Sequence, residues 1–142
     1  MHQLAVVRAA LREYRIRDAS DYAEVLISEA LGGIRVASRV NHGYDVVCEG
    51  FGRIEVKCRQ LPPEGQTEER VEVLPSKESG FDFLAVVIFH PDFEVKAAVV
   101  APYDSVWKLI VSQRYNRISY PQACGLRGAI DVTDRVRDAA RW

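Results

Sequence analysis

Residues 43–60 read GYDVVCEGFGRIEVKCRQ, a pattern typical of two short strands joined by a glycine-bounded turn. Nine residues separate Asp45 from Glu55, and Lys57 follows Glu55 by two positions. Two carboxylates that converge on one point can bind Mg²⁺ or Mn²⁺, because both ions prefer hard oxygen ligands. A lysine beside them can stabilise developing negative charge or orient an attacking water. These three residues are therefore the candidate site.

The length of the turn determines whether the three side chains meet. A three-residue loop of residues 50–52 would pair three couples across the hairpin: Glu49 with Arg53, Val47 with Glu55, and Asp45 with Lys57. Opposed residues, and residues two apart in a strand, share a face of the sheet, so all three charged side chains would point the same way. A two-residue loop would pair Asp45 with Val56 and send its carboxylate to the opposite face. Gly52 stands where three-residue loops commonly end in a left-handed residue, which favours the convergent register.

Apolar residues at helical spacing predict two helices ahead of the hairpin. The first covers residues 4–15. The second ends near Leu31, where Gly32-Gly33 is typical of a left-handed cap. Its candidate N-caps are Asp18, Ser20 and Asp21.

Apolar segments, most of them alternating, predict six strands: residues 34–40, 44–48, 53–58, 70–74, 81–89 and 93–101. The segment 81–89 is almost entirely apolar, which predicts a central strand buried on both faces, with 93–101 returning beside it as a hairpin. Two further helices are predicted, one over residues 106–111 and one that starts at Thr133 or Asp131 and ends near Ala140. Residues 61–69 read as a long loop. The whole chain, residues 1–142, therefore reads as one α/β or α+β domain around a single sheet.

The composition excludes several classes of protein. The chain has 142 residues, of which 48% are hydrophobic and 27% charged, values typical of one globular domain. No apolar run reaches the ~18–20 residues that span a bilayer, and arginines interrupt the opening segment where a secretion signal would be apolar. Three cysteines without a CxxC pair argue against a disulfide framework or a zinc ribbon. We therefore expect a cytoplasmic protein that does not enter a membrane.

The charge is nearly balanced, with a formal net charge of −1, but it is unevenly distributed. From Lys108 onward there are seven basic residues and three acidic ones. Arg8, Arg12 and Arg15 would form a second basic cluster on one helical face. We expect both clusters to lie on the same side of the molecule as Asp45 and to bind a polyanion. Charge alone is equally compatible with solvated helix faces.

The hairpin and the helix before it resemble the PD-(D/E)XK nuclease superfamily, which includes many restriction endonucleases and Holliday-junction resolvases. The resemblance rests on Asp45 and on Glu55-Val56-Lys57, which match the motif that the family carries on two adjacent strands. It covers residues 20–101, and it departs from the family where Tyr44 replaces the proline that gives the motif its name. The implied fold is α/β, a restriction-endonuclease-like αβββαβ core with a central mixed sheet flanked by helices.

The resemblance implies a metal-dependent nuclease, with DNA as the expected substrate and Mg²⁺ or Mn²⁺ as the cofactor. The implied metal ligands are Asp45, Glu55 and the main-chain carbonyl of Val56. The implied catalytic residues are Lys57, which would orient the nucleophile or stabilise charge on the phosphate, and Glu24, which would order the metal or its water. From charge and position, the candidate nucleic-acid contacts are Arg59, Gln60, Arg8 and Arg12. Many family members pair to cut two strands, so the resemblance also allows a homodimer.

Several of these residues have a simpler interpretation. Glu24 could close a capping box with Asp21, and Glu29 is the other acid on that helix that could serve the site. Glu55 and Lys57 could be a solvated ion pair of little energetic value. Asp82 is expected to be a strand-edge or capping residue rather than a ligand. The alternative function is a catalytically inactive nuclease-fold module that binds nucleic acid or assembles a defence or repair system.

Overall fold

The computed structural model describes residues 18–36, 43–64, 68–73 and 80–141 of the chain. Helix α1 spans Ala19–Leu31. Its N-cap is Asp18, whose carboxylate accepts a hydrogen bond from the backbone N–H of Asp21 at 3.0 Å. It ends at Gly32, which adopts a left-handed conformation. The second predicted helix is thus confirmed together with its C-cap, whereas the helix predicted at residues 4–15 lies outside the described residues.

The described residues contain eight strands: β1 (Gly33–Arg35), β2 (Val46–Cys48), β3 (Gly52–Gln60), β4 (Arg70–Glu72), β5 (Phe83–Phe89), β6 (Val95–Pro102), β7 (Arg117–Ser119) and β8 (Ile130–Asp131). Six of them form one sheet in the order β1-β2-β3-β5-β6-β8. In this sheet β3 and β5 are parallel, and every other pair of neighbours is antiparallel. β4 and β7 form a separate two-stranded sheet. The prediction of a mixed central sheet is confirmed, but the expectation of a single sheet is wrong, because β4 pairs with β7 outside the central sheet.

Helices cover both faces of the six-stranded sheet. Three follow β6 along the chain: α2 (Tyr103–Ser112), α3 (Tyr120–Cys124) and α4 (Thr133–Ala139). On one face α1 and α4 pack together, and Leu26 and Val136 join Ile54 of β3 in one apolar cluster. On the other face α2, α3 and the β4–β7 sheet contribute to a second cluster, which includes Val106 and Ile118. The architecture is therefore α/β, with the sheet between two helical layers.

Strand β5 lies at the centre because both of its faces are apolar. Successive side chains of a strand alternate between the faces. The side chains that pack towards α1 are Ala85, Val87 and Phe89, and those that pack towards α2 are Leu84, Val86 and Ile88. All six are fully buried, and β6 returns beside them in the predicted antiparallel hairpin.

Some features differ from the expectations. The elements β7, α3 and β8 are too short to show a periodic pattern in the sequence. Between β3 and β5 the described residues contain β4 and no helix, which departs from the αβββαβ order. The expectation that the basic tail lies on one side is wrong, because Lys108 lies on α2 whereas Arg135 and Arg137 lie on α4. Of the helices in the described ranges, none has the length and apolarity needed to cross a bilayer.

Candidate functional site

The hairpin formed by β2 and β3 has a three-residue loop, but its register differs by two residues from the predicted one. The pairs are Val46 with Ile54, Val47 with Arg53, and Cys48 with Gly52, so that residues 49–51 form the loop. The predicted pairing of Val47 with Glu55 is therefore wrong. A shift by an even number of residues preserves which side chains share a face. The observed register therefore keeps the shared face that was predicted for Asp45, Glu55 and Lys57.

Asp82, which precedes β5, binds the turn end of this hairpin. Its Oδ2 accepts the backbone N–H of Arg53 at 2.8 Å, and the guanidinium of Arg53 donates to both carboxylate oxygens at 3.2 Å. Gly52 has a φ of 75°, and a Cβ at this position would lie 2.5 Å from Asp82 Oδ2. Asp82 thus has the strand-edge role expected for it, and it packs against the glycine that starts β3.

The backbone of Asp45 is anchored on both sides. Its N–H donates to the carbonyl of Ile54 at 2.8 Å, and its own carbonyl accepts from the N–H of Val36 at 2.9 Å. Its side-chain Oδ2 accepts from the N–H of Val56 at 2.8 Å. These bonds place the carboxylate at the edge of β3, immediately before β2 begins.

The main-chain carbonyl of Val56 faces the same edge. In an extended strand the N–H and the C=O of one residue point to the same side. Because the N–H of Val56 donates to Asp45, its carbonyl oxygen is also directed towards the side on which Asp45 lies. The edge of β3 therefore brings together one carboxylate and one carbonyl of the three predicted metal ligands.

Glu55 and Lys57 complete this group. The Nζ of Lys57 lies 3.3 Å from Glu55 Oε1, and the side chain of Glu55 is only 17% exposed. Burial and the negative charge of Asp45 raise the pKa of Glu55 to about 7, against the opposing charge of Lys57. The effect of Asp45 on the pKa of Glu55 shows that the two carboxyl groups are electrostatic neighbours. Asp45, Glu55 and Lys57 thus form one cluster.

Glu24 approaches Asp45 from α1. Burial and the negative charge of Asp45 raise the pKa of Glu24 to about 7, and Arg35 opposes this shift. Glu24 Oε1 accepts a hydrogen bond from Arg35 Nη2 at 3.3 Å. The N-cap of α1 is Asp18, so the interpretation of Asp21 and Glu24 as a capping box is wrong.

Asp21 and Arg35 also belong to the site, although the sequence patterns did not single them out as site residues. Asp21 is 2% exposed, and its Oδ1 lies 3.2 Å from Arg35 Nη2. One signal was present, because Asp21 and Glu24 are three apart and so share a face of a helix. Arg35 showed no such signal, since it meets them only through the packing of β1 against α1.

The candidate nucleic-acid contacts have different positions. Arg59 is exposed and lies on the same face of β3 as Glu55 and Lys57, because these residues are spaced by two. Gln60 donates its side-chain amide to the carbonyl of Pro91 at 2.7 Å. Both line a shallow pocket of about 350 Å³ whose other walls are Leu61, Pro62, Pro63 and Pro91. Arg8 and Arg12 lie outside the described residues.

The donor set suits a hard divalent cation. Asp45, Glu55 and the Val56 carbonyl offer only oxygen donors, and Mg²⁺ characteristically combines one or two carboxylates with water. A cation would also relieve the repulsion that raises the pKa of Glu55 beside Asp45. Across the ranges that the structure covers, no three His, Cys, Asp or Glu side chains form a metal-binding group. Such a site would therefore depend on two carboxylates and one carbonyl.

Comparison with known proteins adds no relative to this picture. No protein-family model and no curated protein matches the chain.

Proposed function

We propose that the protein is a divalent-metal-dependent nuclease that hydrolyses phosphodiester bonds, with DNA as its substrate. The observation that carries the proposal is the meeting of two carboxylates, Asp45 and Glu55, beside Lys57 at one edge of β3. Carboxylates of like charge repel each other, and a folded protein keeps them together only where something offsets that cost. Lys57 offsets part of that cost, and a bound cation would offset it further.

The fold supports the proposal through the order of its elements. Helix α1 is followed by the antiparallel strands β1, β2 and β3, and then by β5, which is parallel to β3. This is the arrangement that the resemblance to PD-(D/E)XK nucleases implies for the residues around the motif. The connection from β3 to β5, which contains β4 in the described residues, is where this chain departs from it.

Each residue of the site has a distinct role in the proposed reaction. Asp45, Glu55 and the carbonyl of Val56 would hold Mg²⁺ or Mn²⁺, which would supply Lewis-acid stabilisation of the charge that develops on the phosphate. Lys57, whose Nζ is 3.3 Å from Glu55, would orient the nucleophile and offset the same negative charge. Glu24, on the α1 side of Asp45, would accept a hydrogen bond from the nucleophilic water.

The experiment is a cleavage assay on single-stranded, duplex and branched DNA and on RNA, with Mg²⁺, with Mn²⁺ and with chelator. We expect metal-dependent cleavage that Asp45→Asn abolishes. Asp92→Asn is the matched control, because Asp92 is an exposed aspartate that caps the turn between β5 and β6. Cleavage that persists in chelator, or that is equal in Asp45→Asn and the wild type, would overturn the proposal.

A catalytically inactive module of the same fold is the second candidate. It is favoured by the finding that both candidate ligand side chains already have partners, since Asp45 accepts from Val56 and Glu55 pairs with Lys57. The same assay separates the two candidates. Nucleic-acid binding without cleavage in either metal would support the inactive module.

A further inference from the structure

Arg35 joins two acidic side chains of α1. Its Nη2 lies 3.2 Å from Asp21 Oδ1 and 3.3 Å from Glu24 Oε1. The side chain of Asp21 is 4% exposed, that of Glu24 is 18% exposed and that of Arg35 is 28% exposed. A carboxylate as buried as Asp21 requires a partner, so it forms a fixed anchor for the guanidinium.

The residue after Arg35 is bonded to the other side of the site. The N–H of Val36 donates to the carbonyl of Asp45 at 2.9 Å. Two consecutive residues at the end of β1 therefore contact both acids, Glu24 through a side chain and Asp45 through the backbone. A shift of this segment would change the separation between Glu24 and Asp45.

Glu24 needs such a restraint because its neighbour repels it. Burial and the like charge of Asp45 raise the pKa of Glu24, whereas Arg35 lowers it. The arrangement has a cost, since Arg35 Nε is buried and has no hydrogen-bond partner among the residues that the structure describes. Buried donors are rarely left unsatisfied. Despite this cost, Nη2 contacts the carboxylates of both Asp21 and Glu24.

We propose that Arg35 is a positioning residue, which is anchored by Asp21 and holds the carboxylate of Glu24 towards Asp45. This inference rests on the proposed metal site, to which it adds a residue that does not itself touch the metal. Removing an outer partner that holds a metal ligand or a residue bound to the metal's water typically changes metal affinity or activity by about 10–100-fold.

The test is a double-mutant cycle of Arg35→Gln and Glu24→Gln, read out as Mn²⁺ affinity by titration calorimetry and as kcat for cleavage. Arg35→Gln alone should weaken Mn²⁺ binding by about tenfold. In the Glu24→Gln background it should cause no further loss, because Arg35 acts through Glu24. An equal loss in both backgrounds, or no loss in either, would overturn the inference.

Two further variants guard against a simple failure to fold. Asp21→Asn combined with Arg35→Gln also removes the buried negative charge that Arg35 would no longer balance, and it should keep the domain folded in denaturant titrations. Arg35→Lys keeps the positive charge and should recover part of the Mn²⁺ affinity. Lys96→Gln is the matched control, because Lys96 of β6 pairs with Glu69 at similar exposure and its replacement should leave Mn²⁺ binding unchanged.

The outcomes distinguish this inference from the nuclease proposal. A wild-type protein that binds Mn²⁺ but cuts no nucleic acid would overturn the nuclease proposal, and the cycle on Mn²⁺ affinity would still decide the role of Arg35. A wild-type protein that cuts nucleic acid but shows additive losses would overturn the role of Arg35 alone. A wild-type protein that neither binds Mn²⁺ nor cuts would overturn both.

Discussion

At the scale of single residues, Asp45 affects the pKa values of both glutamates of the site. Its negative charge contributes to the raised pKa of Glu24 on α1 and of Glu55 on β3, in addition to the larger effect of burial on each. Asp45 lies at the strand edge, and Glu55 lies on the face of β3 that is turned away from α1. The acidic site therefore extends around the edge of the sheet and is not confined to one face.

The raised pKa values predict how stability changes with pH. Glu24 and Glu55 have pKa values of about 7 in the folded protein, against a reference value of 4.5. Between these values the folded state binds more protons than the unfolded state, so the free energy of unfolding should fall as the pH rises. We expect a loss on the order of 1–3 kcal/mol per glutamate between pH 5 and pH 8, measured by urea unfolding with chelator.

Variants identify the groups responsible for this pH dependence. Glu24→Gln and Glu55→Gln should each flatten it, because each removes one titrating carboxyl group. Glu29→Gln is the control on the same helix, since Glu29 is exposed and its replacement should leave the pH dependence unchanged. A pH dependence that is the same in the wild type and in Glu55→Gln would contradict the assignment.

Lys57→Ala should separate chemistry from folding. Its side chain is 37% exposed, so we expect the free energy of unfolding to change by about 0.5 kcal/mol or less, while cleavage is abolished. Asp45→Asn should also abolish cleavage, but excess Mn²⁺ should partly restore it because that variant is impaired in metal binding. Unfolding of the domain by Lys57→Ala would show that the lysine is a structural partner and that its proposed role is wrong.

At the scale of secondary-structure elements, the β2–β3 hairpin positions the cluster. Gly52→Ala should lower the free energy of unfolding, because it combines a φ of 75° with a collision with Asp82. Left-handed strain alone costs on the order of 1–3 kcal/mol. Gly50→Ala is the matched control, since Gly50 has a φ of 93° and no atom of the described residues lies within 4 Å of the position that its Cβ would occupy. Denaturant unfolding should show a larger loss for Gly52→Ala, and equal losses would contradict the role given to Asp82.

At the scale of the whole molecule, the two faces of the sheet differ in which basic residues could contact a nucleic acid bound at the site. Arg59 lies on the face that carries Glu55 and Lys57, whereas Arg135 lies on α4, which packs with α1 on the opposite face. The proposed substrate would therefore contact only part of the basic tail.

Salt dependence of DNA binding tests this division. The logarithm of the association constant should fall linearly with the logarithm of salt concentration. We expect Arg59→Gln to reduce that slope by about 0.9, the value for one lost phosphate contact on duplex DNA. Arg135→Gln removes the same charge from the opposite face and should leave the slope unchanged. Binding that does not depend on salt would remove nucleic acid as the partner.

Local patterns in the sequence determined much of the fold. The apolar run at residues 81–89 predicted a strand buried on both faces, and β5 is that strand. Gly32 predicted the end of α1, because helix caps depend on a few adjacent residues. The proximity of Asp45 and Glu55 was also predictable. A register that differs from the predicted one by an even number of residues leaves both side chains on the same face.

Only the tertiary structure decided the remaining features, because each depends on contacts between residues that are distant in the chain. The start of β3 is bound by Asp82, whose carboxylate accepts from the backbone N–H of Arg53, 29 residues earlier. Arg35 reaches Glu24 across 11 residues, and no spacing rule relates a strand residue to a helix residue. The separation of α2 from α4 likewise follows from which apolar side chains each helix buries, and this depends on the assembled sheet. Local periodicity determined the longer elements of this protein, and the turn determined which side chains of the hairpin share a face, whereas packing between distant residues determined the surroundings of the carboxylates.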